Sequence, residues 1–136
     1  MRRLLLDTGI TYALLDRDDA WHARARALVE RLGAQLLIPI TTVPEICYFV
    51  AKTLGADAEH DFVRSLSSEP FQVQWLDEKD FARSAAILER YPSIGFVDAS
   101  VVAVAERLGL ETIATTDRRD FSAIRPRHVK RFTLLP

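Results

Sequence analysis

The stretch IGFVDASVVAVAERLGLETIATTDRRDF, residues 94–121, contains the most informative pattern in this chain. Apolar residues recur every three or four positions from 97 to 108, which predicts a helix with one buried face. Gly109 suits the left-handed conformation that closes a helix. The uncharged run over 112–115 predicts a short strand that is covered on both faces. Asp117 follows almost directly, and open α/β sheets bind their ligands beyond the carboxyl ends of their strands.

The rest of the chain also alternates between the periods of strands and helices. Strands are predicted at 2–7, 35–40, 71–76, 112–115 and 130–134, with the third resembling an edge strand. Helices are predicted at 10–15, 20–32, 41–54, 57–66, 77–90 and 97–108, with one more helical turn after Asp117. Such alternation is typical of an α/β fold around a largely parallel sheet.

Composition narrows the class of protein. With 136 residues, of which 49% are hydrophobic and 27% charged, the chain suits one globular domain over residues 1–136 with a sizeable core. The single cysteine, Cys47, excludes a disulfide within the chain and fits a reducing compartment. No segment has the roughly 20 apolar residues that cross a bilayer, and no signal-peptide pattern is present. We therefore expect a cytoplasmic protein without membrane contact.

Four acidic residues occur at predicted strand ends or helix starts: Asp7, Glu45, Asp98 and Asp117. Each also has a purely structural interpretation, as a helix cap or, for Glu45, as part of a capping box with the Thr three residues before it. Right-handed α/β winding brings such positions to one edge of the sheet, where several carboxylates would repel one another. A divalent cation relieves that repulsion.

The cation that these ligands favour is Mg²⁺ or Mn²⁺, because both prefer hard oxygen donors. Zinc is disfavoured, since the three histidines are scattered along the chain and there is one cysteine. A carboxylate-held metal polarises a phosphoryl oxygen and lowers the pKa of bound water, which suits the cleavage of phosphodiester bonds. The four acids are therefore the predicted catalytic and metal-binding residues.

A basic segment follows the last of these acids. Residues 118–131 include six Lys or Arg and one His against a single acid, Asp120, and 15 of the 18 basic residues in the chain are Arg. Arg suits bidentate phosphate recognition, although a merely solvated face explains the segment equally well. Arg118 and Arg119 are predicted to hold the substrate backbone. Asp120 is interpreted either as an outer acid of the site or as a cap of the following turn, which we favour.

Four motifs resemble one known family over nearly the whole chain. LLLDTGITYALLD, TTVPEI, GFVDASVVAVAERLG and IATTDRRDF are similar to segments of the PIN-domain ribonucleases, specifically the VapC-type toxins of prokaryotic toxin–antitoxin pairs. Each motif is short, but together in this order they are specific. One departure is Gly9, where many members have Ser or Asn; it alters a water or ligand contact and removes no carboxylate.

The resemblance implies a PIN-like three-layer α/β/α sandwich with a central sheet of about five strands. It also implies that Asp7, Glu45, Asp98 and Asp117 bind Mg²⁺ or Mn²⁺ and cleave RNA, whether tRNA, rRNA or mRNA. A cognate antitoxin and a homodimer are the implied protein partners, with the helical region 20–68 as their expected surface. Thr8 and Thr116 are assigned to positioning a water, a carboxylate or the substrate.

Other classes of function make different demands on the sequence. A catalytically inactive PIN-fold module that binds RNA or protein would more plausibly have lost one of the four acids. A haloacid-dehalogenase-like phosphotransferase would need an Asp at position 9, where this chain has Gly. Neither a glycine-rich dinucleotide loop nor a P-loop is present. A metal-dependent endoribonuclease is the leading hypothesis, and the binding module is its alternative.

Overall fold

The computed structural model of the protein describes residues 2–136. Strands and helices alternate along these residues, as the sequence pattern predicts. The five strands are β1 (Arg3–Leu6), β2 (Gln35–Pro39), β3 (Phe71–Gln74), β4 (Thr112–Ala114) and β5 (Thr133–Leu135). The seven helices of the described chain are α1 (Thr8–Leu15), α2 (His22–Leu32), α3 (Thr42–Leu54), α4 (Ala56–Ser65), α5 (Glu78–Arg90), α6 (Phe96–Leu108) and α7 (Arg118–Ala123).

The strands form one sheet in the order β3-β2-β1-β4-β5, and every neighbouring pair is parallel. In register, Leu4 lies opposite Leu36 and Leu6 lies opposite Ala114. The strand at the centre, β1, is thus the one that Asp7 follows, and β4 beside it leads to Asp117. The predicted parallel sheet of about five strands is confirmed, and β3 is an edge strand as its sequence indicates.

Two hydrophobic cores cover the two faces of the sheet. Successive residues of a strand point to opposite faces, so Leu4 and Leu6 pack with α1 to α4 whereas Leu5 packs with α5 to α7. The second core also contains Phe121 of α7, which is 1% exposed. Helices on both faces of one sheet make the three layers of the predicted sandwich, so the fold class is confirmed.

Local hydrogen bonds explain where the elements begin. Helix α1 begins two residues earlier than predicted because the Asp7 carboxylate accepts from the backbone N–H of Ile10 at 3.0 Å. Helix α2 begins two residues later, because Asp19 accepts from the N–H of Trp21 and holds a turn. Strand β5, predicted at 130–134, begins at Thr133, because the backbone of residues 127–131 bends instead of extending.

None of the helices in the described chain is long and apolar enough to cross a membrane.

Candidate active site

The carboxyl end of the sheet holds the candidate site. Asp7 follows β1, and Asp117 comes shortly after the neighbouring β4, so the two acids share one edge. One hydroxyl joins them, because the Thr115 side chain donates to the Asp7 carboxylate and accepts from the Asp117 backbone N–H at 2.8 Å. Buried Thr115 therefore fixes both acids relative to each other, a role that the sequence did not suggest.

Asp7 is buried as well as fixed. Only 5% of the residue is exposed, and its carboxylate caps α1 through the N–H of Ile10. Burial raises the pKa of Asp7 to about 6, against the opposing hydrogen bonds from Ile10 and Thr115, and the nearby charge of Asp117 raises it further. Asp7 therefore caps α1, as interpreted from the sequence. Capping alone does not explain why a carboxylate lies in a buried position where its ionisation is unfavourable.

Three further carboxylates lie together. One oxygen each from Asp98, Asp117 and Asp120 falls within 4.8 Å of the others. Asp120, for which the sequence favours a capping role, belongs to this cluster instead, because the cap of α7 is Asp117 and the Asp120 N–H donates to it at 3.3 Å. The helical turn predicted after Asp117 could have indicated that Asp120 lies close to Asp117, since residues three apart on a helix are neighbours.

Asp98 lies on the first turn of α6, two residues after the helix begins. Gly95 occupies the capping position of that helix, so Asp98 is not its cap. Burial raises the pKa of Asp98 to about 7, and the charges of Asp7, Asp117, Asp120 and Glu45 add to the shift. The other three predicted acids, together with Asp120, therefore all raise the pKa of the Asp98 carboxyl group.

Glu45 is exposed at the rim of the site. Helix α3 shows no side-chain hydrogen bond at its capping position, so the capping-box interpretation of Glu45 is wrong. Its carboxylate accepts instead from the Thr8 hydroxyl, 37 residues away, at 2.6 Å. A second bond of 2.6 Å, between the hydroxyls of Thr41 and Ser100, ties the start of α3 to α6. These bonds hold Glu45 on the same side as Asp98.

The absence of a side chain at position 9 has a structural reason. A Cβ atom added to Gly9 would overlap the hydroxyl of Thr116 and lie 3.9 Å from an Asp7 carboxylate oxygen. Thr116 thus fills the space beside Asp7 that a larger residue 9 would occupy. The departure from the family pattern at Gly9 is accommodated by the loop after β4.

The two arginines after Asp117 have different surroundings. Both arginines are exposed, but the guanidinium of Arg118 also donates to the carbonyl of Pro136, which follows β5. Arg118 therefore links α7 to the residue after β5. That both arginines hold the substrate backbone stays a prediction.

The chemistry of the donor set fits a hard divalent cation. Every candidate ligand is a carboxylate oxygen, and hard oxygen donors are those that Mg²⁺ and Mn²⁺ prefer. Among residues 2–136, no Lys, Arg or His nitrogen lies within 4.0 Å of the carboxylates of Asp7, Glu45, Asp98, Asp117 or Asp120. Their negative charge is thus not neutralised by a cationic side chain of the described residues.

Known proteins share this fold and this arrangement of strands. The family model of the PIN domain matches residues 4–125. Ribonuclease VapC26 of Mycobacterium tuberculosis is 32% identical over 135 residues, which cover 98% of this chain and 100% of that protein. The crystal structure of VapC20 of the same organism, a Sarcin-Ricin loop cleaving toxin, has a TM-score of 0.82 at 22% identity and covers 93% of this chain and 98% of that one.

A toxin–antitoxin complex from Klebsiella pneumoniae contains a further similar chain, with a TM-score of 0.71 and 25% identity over 89% of this chain and 92% of that one. The parallel α/β sandwich is therefore shared with bacterial toxins. The chain belongs to the PIN domain family, among its VapC-type toxins. The resemblance seen in the sequence motifs is confirmed.

Proposed function

We propose that the protein is a metal-dependent endoribonuclease, the toxin component of a toxin–antitoxin pair, which hydrolyses RNA phosphodiester bonds. The observation that supports this most strongly is the cluster of Asp98, Asp117 and Asp120 beside buried Asp7, with no cation of the described chain paired to it. The 32% identical relative, VapC26, is named a ribonuclease, which supports the same class of reaction.

In this proposal Asp7, Asp98, Asp117 and Glu45 hold Mg²⁺ or Mn²⁺, which when bound supplies charge neutralisation and activation of a water molecule. Thr115 and Thr8 hold the carboxylates of Asp7 and Glu45 in position through their hydroxyls. Asp120, within reach of Asp98 and Asp117, adds negative charge that favours the cation. Exposed Arg119 and the hydroxyl of Thr116 contact the RNA strand next to the bond that is cut.

Cleavage of a mixed pool of small RNAs by the purified, antitoxin-free protein tests this function. Mg²⁺ and Mn²⁺ should each support cutting, EDTA should abolish it, and the variant Asp98→Asn should be inactive with either metal. Asn keeps the shape of Asp and removes its charge, so a folded inactive variant isolates the acidic site. An inert wild type that also binds no Mn²⁺ would favour the alternative, a catalytically inactive module that binds RNA or protein.

We also propose an antitoxin and a second copy of the chain as protein partners. The complex from Klebsiella pneumoniae is described as a toxin–antitoxin complex, which supports the first. The expected surface, helical residues 20–68, includes the exposed aromatic rings of Tyr48 and Phe49 on α3. Next to them a cavity of about 270 Å³ is lined by Tyr12, Trp21 and Phe49. Antitoxin side chains would fill this cavity, and sedimentation equilibrium of the isolated chain tests the dimer.

A further inference from the structure

A concave, positively charged surface lies at the end of α7 that is remote from Asp117. It is a cavity of about 430 Å³ between the end of α7 and the segment that leads into β5. Three of its seven lining residues are the cations Arg125, Lys130 and Arg131, and none is acidic. We call these three cations and the cavity between them the basic groove.

The backbone of the basic groove is held firmly by apolar residues. Ile124 is 2% exposed and Phe132 is 6% exposed, and both pack in the second core. Between them Pro126 is also buried, and the His128 ring contacts the Leu110 carbonyl at 2.6 Å. Because these apolar residues face inward, the backbone that carries the exposed cations is held in place. The groove therefore presents its cations from a fixed backbone.

The three cations of the groove form no ion pair within the described chain. Among residues 2–136, no carboxylate lies within 4.0 Å of the charged nitrogens of Arg125, Lys130 or Arg131. Arg83 and Arg107, which belong to the same layer of helices, are by contrast both paired with buried or half-buried acids. A concave surface with unpaired cations favours an anionic ligand.

Helix α7 connects the groove to the acidic cluster. Its six residues begin beside Asp117 and end at Ala123, a length of about 9 Å at 1.5 Å per residue. Exposed Arg119 lies at the first end, and the groove begins at the second. Lys130, Arg131 and Phe132 directly precede Thr133, which lies opposite Thr112 at the start of β4, so the groove extends from α7 toward the edge of the sheet opposite the acidic cluster.

We propose that the basic groove binds the phosphates of a single RNA strand outside the part of the strand that is cut at the acidic cluster. This inference rests on the proposed function, because it takes the same RNA as its ligand. Two of the three cations are Arg, whose planar guanidinium binds phosphate through two hydrogen bonds. The groove thereby gives affinity and direction to the strand, and the acidic cluster performs the cleavage.

The test measures RNA binding separately from cleavage. Asp98→Asn serves as the background so that RNA remains intact, and a fluorescein-labelled oligouridylate is titrated at several salt concentrations by fluorescence anisotropy. The groove variant carries Arg125→Ala, Lys130→Ala and Arg131→Ala. The control variant carries Arg2→Ala, Arg17→Ala and Lys79→Ala, which remove the same charge from exposed positions outside both the groove and residues 20–68.

We expect the groove variant to bind the oligouridylate at least about tenfold more weakly than the background. The slope of log K against log salt should fall by about 0.7 for each phosphate that the protein no longer binds, whereas the control variant should keep both values. With the natural Asp98 restored, the groove variant should raise KM for a longer RNA and leave kcat unchanged. Circular dichroism melting verifies that both variants fold.

Three results would overturn the inference: equal weakening in both variants, no weakening in either, or tighter binding of an oligoglutamate peptide than of RNA at the groove. The last would indicate an acidic protein partner instead. If the wild type cuts no RNA but the groove variant alone loses binding, the groove is upheld and the proposed nuclease function fails. If the wild type cuts RNA and the groove variant binds normally, only the groove inference fails.

Discussion

The two ends of α6 hold carboxylates in opposite electrostatic states. At its start, Asp98 lies with Asp117 and Asp120, and no cation of the described chain pairs with them. Near its other end, Glu106 accepts from the Arg83 guanidinium at 2.6 and 3.0 Å and from the backbone N–H of Arg127 at 2.9 Å. One helix therefore has acids that the protein neutralises and acids that it does not.

The paired acid stabilises the fold, whereas the unpaired acids suit a functional role. Glu106 and Arg83 are 9% and 15% exposed and close the contact between α5 and α6, so their charges are satisfied where they are buried. Asp98 and Asp7 are also withdrawn from water, but the repulsion between them and the neighbouring carboxylates is left in place, which costs stability. Uncompensated charge of this kind is common at functional sites, and here it suits a cation from solution.

The largest effect is expected from Asp98→Asn. We predict that cleavage falls by about a hundredfold to a thousandfold, the size of loss seen when a preorganised electrostatic group is removed from an active site. The melting temperature of the metal-free protein should stay the same or rise, because one of the repelling charges is gone. Single-turnover cleavage and circular dichroism measure the two quantities.

Asp57→Asn, at the exposed start of α4, is the matched control for that variant. It removes the same charge and should leave cleavage unchanged. Residual activity of Asp98→Asn within tenfold of the wild type would contradict the assignment of Asp98 to the reacting site.

The unpaired acids could be predicted from the sequence better than the paired ones. Strand ends and helix starts are visible as local patterns, and parallel topology then places Asp7, Asp98 and Asp117 at one edge. The Arg83–Glu106 pair joins residues 23 positions apart, and no local pattern indicates such a partner. The same holds for Glu45, whose bond to Thr8 depends on how α1 and α3 pack.

Removal of the Arg83–Glu106 ion pair should lower stability and leave cleavage unchanged. Arg83→Ala leaves buried Glu106 without its cation, and we expect a loss of about 3 kcal/mol in the free energy of unfolding. Cleavage per folded molecule should be unchanged. Urea unfolding measures the loss, and Arg26→Ala, which breaks an exposed pair with Glu30, should cost less than about 1 kcal/mol. Equal costs for the two variants would remove the contrast between the pairs.

The pH dependence follows from the raised pKa values of about 6 for Asp7 and about 7 for Asp98. Metal ligands must be ionised, so Mn²⁺ affinity should rise by about one to two orders of magnitude between pH 5 and pH 7. The free energy of unfolding of the metal-free protein should instead fall as pH rises over this range. The stability linked to these acids is complete below their unfolded pKa of 3.8 and is lost as pH rises through about 6 and 7.

Melting curves at pH 5, 6, 7 and 8 in EDTA measure this trend, and Asp98→Asn should flatten it. A metal-free protein that becomes more stable over the same range would show that the carboxylates are compensated after all.

The smallest effect concerns the space beside Asp7. Gly9→Ala places a methyl group against the Thr116 hydroxyl, and we expect a cost of about 1 kcal/mol from overpacking. The cost should disappear in Gly9→Ala combined with Thr116→Ala, since the obstructing hydroxyl is then absent. A double-mutant cycle by urea unfolding measures the coupling, and additive effects would exclude the contact.

Asp120 and Arg118 show why the remaining part of the site was not predictable. Both lie in the short helix α7, whose orientation depends on how its Phe121 packs in the second core, a contact that no local pattern indicates. That packing leaves Asp120 within 4.8 Å of Asp98 and directs Arg118 to the Pro136 carbonyl. The basic segment could be recognised from its composition, but not the groove formed by Arg125, Lys130 and Arg131.

Binding of a divalent cation by the unpaired acids at the start of α6 underlies both the proposed chemistry and its pH dependence. Titration of Mn²⁺ into metal-free protein, followed by electron paramagnetic resonance of the free ion, measures this binding without relying on activity. We predict saturable binding by the wild type and by Asp57→Asn, and at least about tenfold weaker binding by Asp98→Asn. Equal Mn²⁺ binding by all three proteins, or none by the wild type, would contradict the assignment of these acids to a metal site.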